Sequence, residues 1–135
     1  MGYARSESSS FGWLQGRGID HRLLRARTLR GIASGDISLE EACDADPELT
    51  RAASHFGVER QDACPVCGQG PLVEVSFGFG RGLPREGQVI GGLLPAHSFP
   101  RVSDLAIYVV EVCLSCRWNF LLRKLDRPGE IEAAE

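Results

Sequence analysis

Lysine is nearly missing from this chain of 135 residues: fourteen of its fifteen basic residues are arginine, and Lys124 is the exception. The skew fits a GC-rich genome and is no sign of a design for RNA. The formal net charge of −3 argues against a generic nucleic-acid coat, whose phosphate contacts need a positive surface. No apolar run approaches the roughly 20 residues that cross a bilayer, and residues 1–10 are polar with no apolar signal segment after them. A soluble, cytoplasmic protein is expected, with no membrane partner. Catalytic signatures are missing too. No glycine-rich phosphate loop follows a strand, no nucleophile stands beside a base, and the acidic residues are scattered over predicted helix ends and exposed faces. Neither an enzymatic activity nor a small-molecule substrate is expected.

What the chain does have is two cysteine knuckles, Cys64-Pro65-Val66-Cys67-Gly68 and Cys113-Leu114-Ser115-Cys116. Two thiolates separated by two residues reach one ion when the backbone between them turns tightly, and two such turns complete a tetrahedron with metal–sulfur distances near ~2.3 Å. Pro65 stiffens the first turn, and Gly68 can take the positive φ that aims backbone amides at the sulfurs. The second knuckle continues as Arg117-Trp118, without a glycine. Four sulfurs leave no coordination position for water, which marks a structural ion and not a hydrolytic one. In a cytosolic chain this pairing points to metal and not to disulfides. One structural Zn2+ on Cys64, Cys67, Cys113 and Cys116 is expected. Iron in a rubredoxin-like electron-transfer site is the alternative, since four thiolates alone do not choose. Ligation of a divalent ion by four thiolates would add about two negative charges.

Residues 1–16 carry no clear period and predict a flexible leader, with Phe11, Trp13 and Leu14 available to pack on the body. Apolar residues from Ile19 to Ala33 (Ile19, Leu23, Leu24, Ala26, Leu29, Ile32) recur at helical spacing, with Arg22, Arg25, Arg27 and Arg30 between them. This predicts a first helix with an arginine-rich exposed face, stopped at Gly35. Ser38 and Glu41 have capping-box spacing and open a short second helix. Asp46-Pro47-Glu48 supplies an N-cap, a proline at the first helical position and an acidic first turn for a third. That helix runs to His55 or Phe56 with Leu49, Ala52, Ala53 and Phe56 inward, and stops at Gly57.

After the first knuckle the period becomes two. Leu72–Phe79 and Trp118–Leu125 alternate, and Leu105–Val112 is an apolar β-branched run suited to a central strand. The expected fold is α+β: an N-terminal three-helix unit (17–60) packed on a C-terminal three-stranded antiparallel zinc ribbon (61–126), with a long insertion at 80–101 and an acidic tail at 127–135. Within the insertion Val89, Ile90, Leu93 and Leu94 suggest a short strand or turn that packs back. An insertion of that length is functional or disordered.

The run Gly35–Glu41, Cys43–Leu49, Arg51–Ala53, the Cys-Pro-Val-Cys knuckle and Val110-Glu111-Val112-Cys113-Leu114-Ser115-Cys116-Arg117-Trp118-Asn119 resembles an uncharacterised family of small actinobacterial zinc-ribbon proteins over Gly18–Leu125. The resemblance implies a cytoplasmic, zinc-bearing protein and brings no activity with it. Residues 30–41 also look like the helix-turn-helix entry of actinobacterial integration host factor.

Cys43, the fifth cysteine, reads as a small buried hydrophobe, its functional alternatives being a redox-sensing thiol or a substitute ligand. His97 reads as a solvated loop residue, and His21 and His55 receive no role. A helix-turn-helix over 38–56 would present Asp46, Pro47 and Glu48 where base contacts belong, and the acidic groups would repel DNA. The expected function is a non-catalytic adaptor that binds a large cytoplasmic protein complex, with RNA polymerase as first partner by fold-level analogy. The alternative is direct nucleic-acid binding. Arg22 and Arg25 would grip phosphates, and Trp118 and Phe120 would stack on bases or pack on a protein.

Overall fold

The computed structural model describes residues 18–81, 88–90 and 103–127. The leader, most of the insertion with His97, and the tail beyond Arg127 lie outside the described residues, as do Phe11, Trp13 and Leu14. In chain order the elements are β1 (Gly18–Asp20), α1 (Arg22–Ser34), α2 (Leu39–Ala42), α3 (Pro47–Phe56), β2 (Val58–Ala63), β3 (Pro71–Arg81), β4 (Gln88–Ile90), β5 (Ser103–Val112) and β6 (Asn119–Arg127). No helix among them is long and apolar enough to cross a membrane.

The α+β class holds, but the expected three-stranded ribbon does not. All six described strands join one antiparallel sheet in the order β1-β6-β5-β3-β2, with β4 pairing β3 beside that path. Two strands escaped the sequence reading because period alone does not reveal them. β1 is three residues long, and Ile19, read there as the start of the first helix, pairs with Lys124 of β6. β2 is Val-Glu-Arg-Gln-Asp-Ala, mostly exposed at a sheet edge, so it carries no apolar alternation. The segment expected to be purely helical therefore supplies strands to the same sheet as the cysteines. β4 is the short strand suggested by Val89 and Ile90, and half-buried Val89 packs back on the core.

The helix boundaries follow their local signals. Gly35 caps α1 at φ 88°, Ser38 and Glu41 form a reciprocal capping box, and the Asp46 side chain accepts from the Leu49 amide with Pro47 at the start of α3. The face of α1 is another matter. Leu23 is 82% exposed and Leu24 45%, while Arg25, expected on the solvent face, points at the sheet. The inward stripe is His21, Arg25, Leu29 and Ile32, all half-buried.

Neighbouring residues of a strand point to opposite faces, which separates two cores. Val73 and Val75 of β3 pack with Val112, Ala45 and the small residues Ala52 and Ala53 of α3. Leu72 packs with Trp118, Cys64, Cys113 and Ala42, and with half-buried Leu29 and Ile32 of α1. α1 and α3 thus lie on opposite faces of the sheet, and the helices do not form a unit of their own. At Gly57 the backbone is extended, with φ −74° and ψ 157°, so this glycine is needed for space and not for conformation. A Cβ there would run into the Val73 side chain and the Ala53 carbonyl.

Candidate metal centre

Sheet register brings the four cysteines together. The first knuckle is the turn between β2 and β3, and the second is the turn between β5 and β6. Val73, just after the first, pairs with Val112, just before the second, in adjacent antiparallel strands. The 45 residues between Cys67 and Cys113 therefore run out along β3 and return along β5 to the same end of the sheet.

The sulfurs of Cys64, Cys67, Cys113 and Cys116 all lie within 4.8 Å of one another. Cys64 and Cys116 are 3.8 Å apart and Cys67 and Cys113 are 3.6 Å apart. A tetrahedron with arms of ~2.3 Å has edges of about 3.8 Å, so this donor set fits a tetrahedral thiolate-bound metal. Backbone amides aim at the sulfurs: Val66 N–H donates to Cys64 Sγ at 3.3 Å, Gln69 to Cys67 at 3.4 Å and Cys116 to Cys113 at 3.4 Å. Such donors offset the negative charge of thiolates. Burial pushes the Cys64 and Cys116 thiols above their ordinary value of 9.0. Burial raises Cys113 as well, but hydrogen bonds from the Cys116 and Ser115 amides together with the Cys67 and Cys116 side chains outweigh it, and the net shift is downward.

The two knuckles are near copies. Gly68 N–H donates to the Cys64 carbonyl at 3.0 Å and Arg117 N–H to the Cys113 carbonyl at 2.9 Å, and both residues hold φ at 73°. Arg117 is the only non-glycine with positive φ among the described residues, and it is tied down. Its Nε and Nη2 donate to the Ala45 carbonyl at 2.9 and 2.6 Å, while its own carbonyl accepts from Ala45 N–H at 3.1 Å. Beside it, Asn119 Nδ2 donates to Asp44 at 2.9 Å, and the Cys43 thiol donates to Cys116 Sγ at 3.7 Å. The turn Cys43–Ala45 between α2 and α3 is thus clamped onto the second knuckle. Cys43, expected as a small buried hydrophobe, is half-buried and touches the Cys116 sulfur of the four-cysteine cluster. Laying the knuckles side by side would have singled out Arg117. Nothing local announces Cys43.

A family model described as "Family of unknown function (DUF5318)" matches residues 14–126. The chain belongs to this DUF5318 family. It is similar to the uncharacterized protein Mb0050 of Mycobacterium bovis, 38% identical over 109 residues that cover 78% of this chain and 77% of the relative. The uncharacterized protein Rv0049 of Mycobacterium tuberculosis shows the same identity and coverage. No solved structure matches the chain.

The residues expected to meet a partner fall in two groups in this DUF5318 protein. Arg25 Nε lies 2.7 Å from the carboxylate of Glu111, which is wholly buried, and Trp118 Nε1 donates to the same oxygen at 2.8 Å. Both side chains are occupied inside the molecule. Arg22 is exposed and pairs with Asp20 at 3.3 Å, and Phe120 is half-buried and stacked on Trp118 at 5.7 Å. Glu111 stands inside an apolar run, which hides it from any local sequence pattern, yet it is the centre of a buried network. Arg60 Nη1 lies 2.9 Å from Glu74 and 4.0 Å from Glu111, and Arg123 Nη2 lies 3.6 Å from Glu74. The acidic residues are therefore not all at helix ends and exposed faces.

Proposed function

We propose that this DUF5318 protein is a non-catalytic adaptor whose four cysteines hold one structural zinc ion. The observation that carries the reading is the mutual approach of four sulfurs on two amide-lined turns, which fills a tetrahedron and leaves no position for a reacting water. When bound, the ion cross-links the β2–β3 and β5–β6 turns. The chain's own residues do the rest: the amides of Val66, Gln69 and Cys116 hold thiolate charge, and Arg117 fixes the α2–α3 turn against the second knuckle.

Binding to another protein draws support from Ile19, Leu23 and Leu24, exposed large apolar residues close together in the chain where β1 passes into α1. Exposed apolar side chains grouped in this way are what a protein partner covers. The partner we infer is a large cytoplasmic assembly, with RNA polymerase the first to test.

Elemental analysis of purified protein should give one zinc per chain and a colourless solution. Visible absorption from iron would replace zinc and the structural role together. Purified RNA polymerase should bind the zinc-loaded chain and lose binding to a Leu23→Asp/Leu24→Asp variant. Equal binding by the variant would remove this surface, and no binding by the native chain would remove that partner.

A further inference from the structure

Five cysteines, not four, gather at the knuckle end. Cys43 does not belong to the mutual set of four, and it touches that set at one corner, through Cys116 alone among the contacts described. The geometry points to Cys43 as the resolving thiol for Cys116: on oxidation by a peroxide the two form a disulfide that removes one sulfur from the metal site. This inference rests on the metal reading above.

Three observations single out this pair. Cys43, Cys67 and Cys116 are half-buried, whereas Cys64 and Cys113 are 3% and 1% exposed, so a small oxidant reaches Cys67 and Cys116 more readily than the two inner sulfurs, and of those two only Cys116 has the Cys43 thiol against it among the contacts described. The Cys43 sulfur already sits 3.7 Å from Cys116 and needs to close to about 2.05 Å. Cys43 is also a thiol outside the coordinating set, so using it breaks no second metal–sulfur bond. Its position is set by the clamp: the Asp44–Asn119 and Ala45–Arg117 hydrogen bonds hold the C-terminus of α2 against the second knuckle.

The chemistry balances with one molecule of hydrogen peroxide. The Cys116 thiolate attacks one peroxide oxygen, an S–O bond forms as the O–O bond breaks, and hydroxide leaves, giving a sulfenic acid. The Cys43 sulfur attacks that sulfur, the S–S bond forms, and the S–O bond breaks with departure of water, which carries off the Cys43 proton. Two cysteine sulfurs are oxidised to one disulfide, and the peroxide is reduced. Three sulfurs then remain where four closed the shell. In the resting state the same thiol has a second use, since its hydrogen bond to Cys116 supports a ligand sulfur from outside the coordinating set.

The test uses the full chain as purified, with metal content measured first, then an equimolar addition of hydrogen peroxide. Released zinc is followed with a chromogenic chelator, and disulfides are mapped by mass spectrometry of unreduced peptides. We expect a dominant Cys43–Cys116 peptide, loss of two free thiols, one zinc released per chain, and full reversal by a dithiol reductant. Cys43→Ser, whose hydroxyl can still donate to Cys116, should bind one zinc, form no Cys43–Cys116 disulfide, and pass irreversibly to sulfinic acid at Cys116 once a second equivalent of peroxide is added. A disulfide within the set of four as the main product, whether Cys67–Cys113, Cys64–Cys116 or Cys113–Cys116, would overturn the assignment, as would reversible release in Cys43→Ser. Purified protein without metal would defeat the metal reading, while the disulfide map on that same material still decides the Cys43–Cys116 pairing.

Discussion

Arg117 holds φ at 73° against the Cβ penalty of about 1–2 kcal/mol that the left-handed region imposes. Its guanidinium offsets that cost with two hydrogen bonds to the Ala45 carbonyl. Arg117→Ala keeps the strain and loses both bonds, and should destabilise by about 1–3 kcal/mol. Arg117→Gly loses the bonds but also the strain, and should cost about 1 kcal/mol less than alanine does. Urea midpoints of the zinc-loaded variants measure the difference, and an alanine variant as stable as the glycine one would show that the left-handed turn is not strained. Glu111 is the other decisive residue. Glu111→Ala takes the carboxylate from Arg25 and the acceptor from Trp118 Nε1, while Arg60 keeps its ion pairs with Glu74 and Asp62. Removing one member of a buried ion pair costs about 3–5 kcal/mol, so this variant should show a loss of that order in urea unfolding. A loss under about 1 kcal/mol would mean the network behaves like a surface pair.

Among the elements, β6 shows how register decides chemistry. Val110 pairs with Leu121 but Val109 pairs with Arg123, so Leu122 is an extra, unpaired residue in the strand. The bulge turns the following side chains over, and Arg123, which plain alternation would place on the face opposite Phe120, comes to Phe120's face and reaches Glu74. α3 depends on close approach instead. Its small residues Ala52 and Ala53 let the helix lie against Val73 and Val75, and Gly57 lets the chain pass directly from helix to β2. Gly57→Ala must push Val73 or the helix end away, which places it with overpacking substitutions costing about 1–3 kcal/mol. Thermal unfolding should show a clearly lowered midpoint, and an unchanged midpoint would mean that α3 tolerates a shift along the sheet.

At the scale of the whole molecule, a metal ion on the four cysteines would hold only part of the fold. The sheet has its own core in Val73, Val75 and Val112 with α3, and Ile107 and Val109 of the central strand are buried away from the sulfurs. Chelation should therefore free the knuckles and the clamped turn while the sheet stays folded. Hydrogen exchange would show this as faster exchange at 42–46, 64–68 and 113–118 with continued protection at Ile107 and Val109; uniform loss of protection would mean that the ion holds the entire fold. Retention of metal also depends on pH. Burial raises the Cys64 and Cys116 thiols above 9.0, so near neutrality they hold protons that a metal ion must displace. Protons and metal compete, so affinity rises with pH, by up to about tenfold per unit for each proton displaced. Chelator competition at pH 6 and at pH 8 should show tighter retention at the higher value, and equal retention would mean that the thiols are already ionised.

The sequence by itself determined the four cysteines that cluster, the caps of α2 and α3, the central strand β5 and the α+β class. Each of these is written within a few neighbouring residues: a two-residue spacing, a serine three positions before a glutamate, a run of β-branched side chains. Only the tertiary structure decided the rest. It turned Arg25 inward to Glu111 across 86 positions and set Cys43 beside Cys116 across 73, because such contacts follow from strand register and helix docking, which no local pattern encodes. It also joined β1 and β2 to the sheet, since edge strands open to water need no apolar alternation and so leave no period to read.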